Sequence, residues 1–78
     1  MFGLAKLLEY PGEEDPEMQG IELFDTFKEA QSRSDELIND FNENYGEDYN
    51  ESASEKSPVA IASNGDVTWR GYIVEIQK

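Results

Sequence analysis

Sixteen of the eighteen acidic residues in this 78-residue chain lie before position 56, and only Asp66 and Glu75 follow. Seven fall between Glu9 and Asp25 with no base among them, and nine between Glu29 and Glu55 with Arg33 the only base. Against six Lys and Arg and no His, the formal net charge is −12. A chain this short buries only about 60% of its unfolded surface, so it cannot sacrifice apolar residues to solvent. Its core has to form from the near-neutral C-terminal segment and from whatever apolar faces the acidic elements present. The chain reads as one domain over residues 1–78.

The local patterns give the elements. Phe2 to Tyr10 reads as a strand, with Phe2, Leu4, Leu8 and Tyr10 on one face and Lys6 interrupting; a short helix through Leu4, Leu7 and Leu8 is the alternative. Pro11-Gly12 ends it, and Glu13 to Gly20 forms an acidic loop. Ile21 to Phe24 is a short second strand, with Ile21 and Leu23 inward and Glu22 outward. Thr26 and Glu29 form a capping box. From there Phe27, Ala30, Ser34, Leu37, Ile38, Phe41 and Tyr45 repeat at the period of an amphipathic helix, which Gly46 ends as a left-handed C′ residue. Residues 47–57 read as a flexible acidic loop. Pro58 to Ser63 and Asp66 to Gln77 flank Asn64-Gly65 and form a β-hairpin. A β-bulge at Arg70-Gly71 is expected, because it would put Val67, Trp69, Tyr72, Val74 and Ile76 on one face.

The expected architecture is α+β: a two-layer sandwich in which an antiparallel sheet of about four strands, in β-β-α-β-β order, carries one amphipathic helix on one face. The expected core is Leu4, Leu8, Ile21, Leu23, Phe27, Ala30, Leu37, Phe41, Val67, Trp69, Tyr72, Val74 and Ile76.

The chemistry available is narrow. With no Cys and no His, thiolate and imidazole metal sites and the usual nucleophile–base pairs are not open to this chain. No glycine-rich phosphate loop is present. Asp40, Asn42, Asn44, Asp48 and Glu51 match five EF-hand loop positions, but Tyr45 stands where the turn glycine belongs and no helix follows. No enzymatic activity, cofactor or metal is expected. Residues 1–10 are too short and too charged for a signal peptide or membrane span, which points to the cytoplasm, that of a host cell if a phage encodes the chain.

What remains is the acidic surface. Stepping 100° per residue, Glu29, Glu36, Asp40 and Glu43 fall within about 60° of one another and extend over about 21 Å of helix. Glu47 and Asp48 prolong the line, and Glu13, Glu14, Asp15 and Glu17 offer a second row. Tyr49, among acids and outside the expected core, adds an interface residue. Such a surface repels nucleic acid and anionic membrane and attracts basic proteins. The expected function is that of a small inhibitor or DNA mimic on the basic surface of a nucleic-acid-binding enzyme. Small acidic proteins that counter CRISPR, restriction or repair enzymes share this size and composition. The alternative is an accessory or adaptor domain, acidic only for solubility, that binds through its sheet or an edge strand. Either a monomer or a homodimer fits these features.

Overall fold

The structure, a computed structural model, describes residues 1–77. The element order is β1 (Phe2–Glu9), β2 (Glu17–Phe24), α1 (Phe27–Tyr45), β3 (Tyr49–Glu51), β4 (Val59–Ser63) and β5 (Thr68–Glu75). The α+β class and the helix on an antiparallel sheet stand as expected. The strand count does not, because the sheet has five strands in the order β2-β1-β5-β4-β3. The fifth is β3, within the segment read as a loop. Its three polar residues pair with Ser63, Ala62 and Ile61 of β4. Ala53, just beyond it, is buried and its carbonyl accepts a hydrogen bond from Gln31 Nε2 at 2.7 Å.

The helix forms where the period placed it. Thr26 Oγ1 accepts from the Glu29 N–H at 3.2 Å, which caps the helix, and the hydroxyl in turn donates to Glu29 Oε1 at 3.0 Å rather than leaving that carboxylate to the Thr26 N–H. At the other end Gly46 has φ 96° and ψ 159° and donates its N–H to the Asn42 carbonyl at 2.9 Å. That conformation is open only to glycine, although it is not the left-handed helical one expected. Ala30, Ser34, Ile38 and Phe41 are the buried face. Ile38 is inside, whereas Leu37 is only partly covered. Ser34 is fully buried, and its hydroxyl donates to the Gln31 carbonyl at 2.7 Å. Across from this face stand Ala60 and Ala62, both fully buried. Small residues on both sides let the helix sit close to β4.

The β4–β5 hairpin forms around Asn64-Gly65, with a four-residue connection, 64–67, between the Ser63 and Thr68 pair. Asn64 Oδ1 accepts from the N–H groups of Asp66 at 2.8 Å and Val67 at 2.7 Å. An Asx turn therefore shapes the loop.

The bulge expected at Arg70-Gly71 is absent. Pairing of β5 with both β1 and β4 runs in unbroken register. Trp69 and Ile73 face the helix with Gly71 between them, and Tyr72 and Val74 point to the other side. The strand is apolar on both faces, so no bulge is needed to bury its inner row. The register irregularity lies instead on the opposite side of β1. Lys6 pairs with Gly20 and Leu7 with Met18, which leaves Gln19 as the extra residue.

The core therefore differs from the expected one. Leu4, Leu8, Ala30, Ile38, Phe41, Ala53, Ala60, Ala62, Trp69 and Ile73 are buried, with Phe27, Leu37 and Val67 packed against them. Ile21, Leu23, Val74 and Ile76 are exposed and Tyr72 is half-buried, all on the face away from the helix.

Gly71 makes room for the core. A Cβ there would lie 2.6 Å from Trp69 Cη2 and 3.0 Å from Leu4 Cδ1. Gly71→Ala should cost about 2 kcal/mol by overpacking and lower Tm by about 8–16 °C. Gly3→Ala, whose nearest neighbour is the tip of exposed Ile76 at 3.0 Å, should change Tm far less. Thermal denaturation of the two variants side by side checks both.

Candidate functional site: an acidic pole

Three connections converge at one end of the molecule. The β1–β2 loop carries Glu13, Glu14 and Asp15, with Glu17 opening β2. The last turns of α1 carry Asp40 and Glu43, and Glu47 and Asp48 follow. The β4–β5 loop carries Asp66. Together these nine carboxylates come from segments that contain no Lys or Arg.

Specific contacts bring the three together. Asn64 Nδ2 donates to the Tyr45 carbonyl at 3.1 Å, which ties the hairpin loop to the helix end. The Asp48 N–H donates to the Ser63 carbonyl at 2.9 Å. Tyr10, at the end of β1, lies beside Tyr45. Partial desolvation, followed by the Glu17 carboxylate, the neighbouring Tyr45 and then Glu13, holds the Tyr10 hydroxyl above the ordinary phenol pKa. Gln19 and Asp40 line one shallow cleft of about 140 Å³ with Phe41, Tyr45 and Trp69. Phe41 and Tyr45 stack there with ring centroids 4.8 Å apart.

The helix adds to the field. Its C-terminus carries a partial negative charge, and the last turn has no basic side chain to offset it. None of the nine carboxylates is ion-paired among the described residues. Lys6 and Arg33 bind Glu22, and Arg70 binds Glu9.

The acids proposed from the sequence therefore divide. Glu13, Glu14, Asp15, Glu17, Asp40, Glu43, Glu47 and Asp48 are gathered at this end, and all are exposed. Glu29 stands in the first helical turn, at the far end. Glu36 is exposed but bonded to Arg33 at 3.3 Å, so the helix stripe is broken in its middle. Tyr49 is exposed on β3, and its hydroxyl donates to Glu51 Oε2 at 2.7 Å. That carboxylate raises the Tyr49 pKa. Its pairing partner Ser63 puts it beside the hairpin loop but on the sheet face that the helix does not cover. Asp66 was not among the expected site residues. The Asn64-Gly65 signal places it at a loop tip, but only the tertiary fold brings that tip to the helix end. Among the described residues no three acidic side chains converge closely enough to hold a metal ion.

Behind the pole lies one charged cluster at the helix–sheet boundary. Glu22 faces the helix and not solvent, contrary to the expectation for β2. Its two oxygens accept from Lys6 Nζ at 2.8 Å and Arg33 Nε at 3.0 Å. These bonds, Lys6 first, hold the Glu22 carboxyl below its ordinary pKa, and the same contact raises that of Arg33. A lowered carboxyl contributes stability that is present above the unfolded-state pKa and lost as pH falls through the folded-state value. Glu22→Gln should therefore destabilise the fold by about 1–2 kcal/mol near neutral pH. That difference from wild type should shrink towards zero below the usual carboxylate range. Urea denaturation of both proteins at neutral and acid pH measures it.

Comparison of the chain with protein-family models, curated proteins and solved structures gave no match, so the acidic pole is the feature from which function has to be argued.

Proposed function

We propose that this protein binds the basic, nucleic-acid-binding surface of another protein and competes there with DNA or RNA. The observation that carries the reading is the pole itself: nine carboxylates from three connections, without an ion pair among the described residues, with a helix C-terminus behind them. Carboxylates meet Arg and Lys in short, charge-assisted hydrogen bonds of the kind phosphates make. A one-signed field of this kind speeds encounter with a basic groove and makes affinity depend steeply on salt. Inhibition of a CRISPR, restriction or repair enzyme is the role such chemistry serves. The working end is the pole and not the full length of the helix, because Arg33 neutralises the middle of the stripe.

The reading is tested by displacing labelled duplex DNA from a panel of purified DNA-binding enzymes. Displacement should be strong near about 50 mM salt and largely lost by about 300 mM. Combined Asp40→Asn, Glu43→Gln and Glu47→Gln should weaken it about tenfold or more, which is roughly 1.4 kcal/mol. Glu29→Gln should change it little. Equal displacement by the triple variant, or indifference to salt, would remove the pole as the binding surface.

A further inference from the structure

The cleft between the last turns of α1 and the sheet is a concave spot within the acidic pole, with a volume of about 140 Å³. Pockets that enclose a whole small molecule run to roughly 300–1,000 Å³, so this one suits a single inserted side chain. Two columns on the helix build one side of it. Phe41 and Tyr45, four residues apart, stack with ring centroids 4.8 Å apart and form an aromatic wall. Tyr45 is 43% exposed, so part of its ring is open to a partner. Asp40 and Asn44, also four apart, form a polar wall beside the rings. Asn44 Nδ2 donates to the Asp40 carbonyl at 2.9 Å, which engages the amide nitrogen and leaves the oxygen to meet a donor. The Asp40 carboxylate has no ion pair among the described residues.

The sheet supplies the rest. Trp69, buried on β5, lies at the apolar base of the cleft. Gln19 faces it from β2, as the extra residue at the register irregularity opposite Lys6 and Leu7. Such an irregularity re-aims a side chain, and here it falls on the residue that lines the cleft.

We propose, resting on the partner class named above, that this cleft holds one arginine side chain of the basic protein and anchors it there. The lining offers acceptors and aromatic rings and contains no Lys or Arg. A guanidinium presents five N–H donors in one plane. The Asp40 carboxylate can take two of them in a bidentate pair, and the amide oxygens of Gln19 and Asn44 can take others. The same plane stacks on aromatic faces, while the aliphatic stem packs on the apolar base. Lysine is a compact, strongly hydrated point charge and makes less use of rings and amides. The surroundings favour a cation as well, because the other carboxylates of the pole and the negative end of the helix lie at this end. An arginine seated in a pocket within a charged surface is a common form of binding hot spot.

Trp69 is the single tryptophan of the chain, so the base of the cleft has its own signal. The test titrates the protein with three short capped peptides, identical except for a central Arg, Lys or citrulline, the neutral analogue of Arg. Trp69 emission and the Trp69 indole N–H resonance are followed. The Arg peptide should bind saturably with Kd on the order of 1 mM. The Lys peptide should bind about threefold more weakly or worse, and the citrulline peptide about tenfold more weakly or worse. Tyr45→Leu removes the ring but no charge, and should weaken the Arg peptide about fivefold. Gln19→Ala is the second uncharged variant, should Tyr45→Leu fail to fold. Glu29→Gln, at the far end of the helix, should leave Kd as it is. In the DNA displacement assay, Tyr45→Leu should lower potency about fivefold with the salt dependence unchanged, since no charge is lost. Equal binding of the three peptides, or Trp69 signals that stay fixed up to about 20 mM Arg peptide, overturns the proposal. So does binding of the Arg peptide that survives both uncharged variants. In each of these cases competition with DNA stands if the wild type still displaces it. Displacement that fails while the Arg peptide binds at Trp69 supports the arginine site and removes only the competition with DNA.

Discussion

The orientation of β2 depends on Glu22. Lys6 sits on the helix side of β1, in the middle of an otherwise apolar row, with its side chain only 17% exposed. A buried ammonium needs a counter-charge, and the register that sets Leu4 opposite Glu22 supplies it. Arg33 of the helix closes the cluster from above. Once Glu22 and Phe24 face the helix, Ile21 and Leu23 have no choice but the other side. One ionic cluster thereby fixes the strand's phase, ties the edge strand to the helix, consumes two of the chain's bases and leaves an apolar face uncovered.

The same cluster explains which parts of the structure were legible in the sequence. The helix carried its own boundaries: a capping box at Thr26 and Glu29, a 3.6-residue apolar period, and Gly46 at the end. The hairpin was marked by Asn64-Gly65. These signals are local, and tertiary packing did not have to overrule them. The inward direction of Glu22 was not legible, because alternation in Ile21-Glu22-Leu23 by itself favours the aliphatic residues inside. Only the partnership with Lys6 and Arg33, 16 and 11 residues away, reverses it. Strand β3 was invisible for a related reason: Tyr49-Asn50-Glu51 has no apolar pattern and exists through its ladder to β4.

On β5 the expected bulge follows from placing all the apolar residues on one face, whereas the strand carries them on both. Trp69, Gly71 and Ile73 make the inner row and Tyr72 and Val74 the outer. A glycine that looked like an interruption is the position that admits the indole ring. The buried alanines on β4 escaped notice because small residues carry little periodic signal, yet they set how near the helix can approach. For the acidic surface, the sequence showed which elements were acidic. Their gathering at one end depends on the Asn64–Tyr45 and Tyr10–Tyr45 neighbourhoods, and the loss of the middle of the stripe depends on Arg33.

At the centre of the sheet, the first strand pairs with the last: Phe2 opposite Glu75 and Glu9 opposite Thr68. The Ile76 N–H also donates to the Met1 carbonyl at 2.8 Å. Everything between has to be in place before this seam can close. During synthesis the nascent chain therefore holds an incomplete sheet, with a helix that has little to pack against, until β5 clears the ribosome. Without β5 the β1–β2 and β3–β4 pairs would have no link in the sheet, and without β1 the lone β2 would be cut off from β5-β4-β3, so the seam is what makes the sheet one unit.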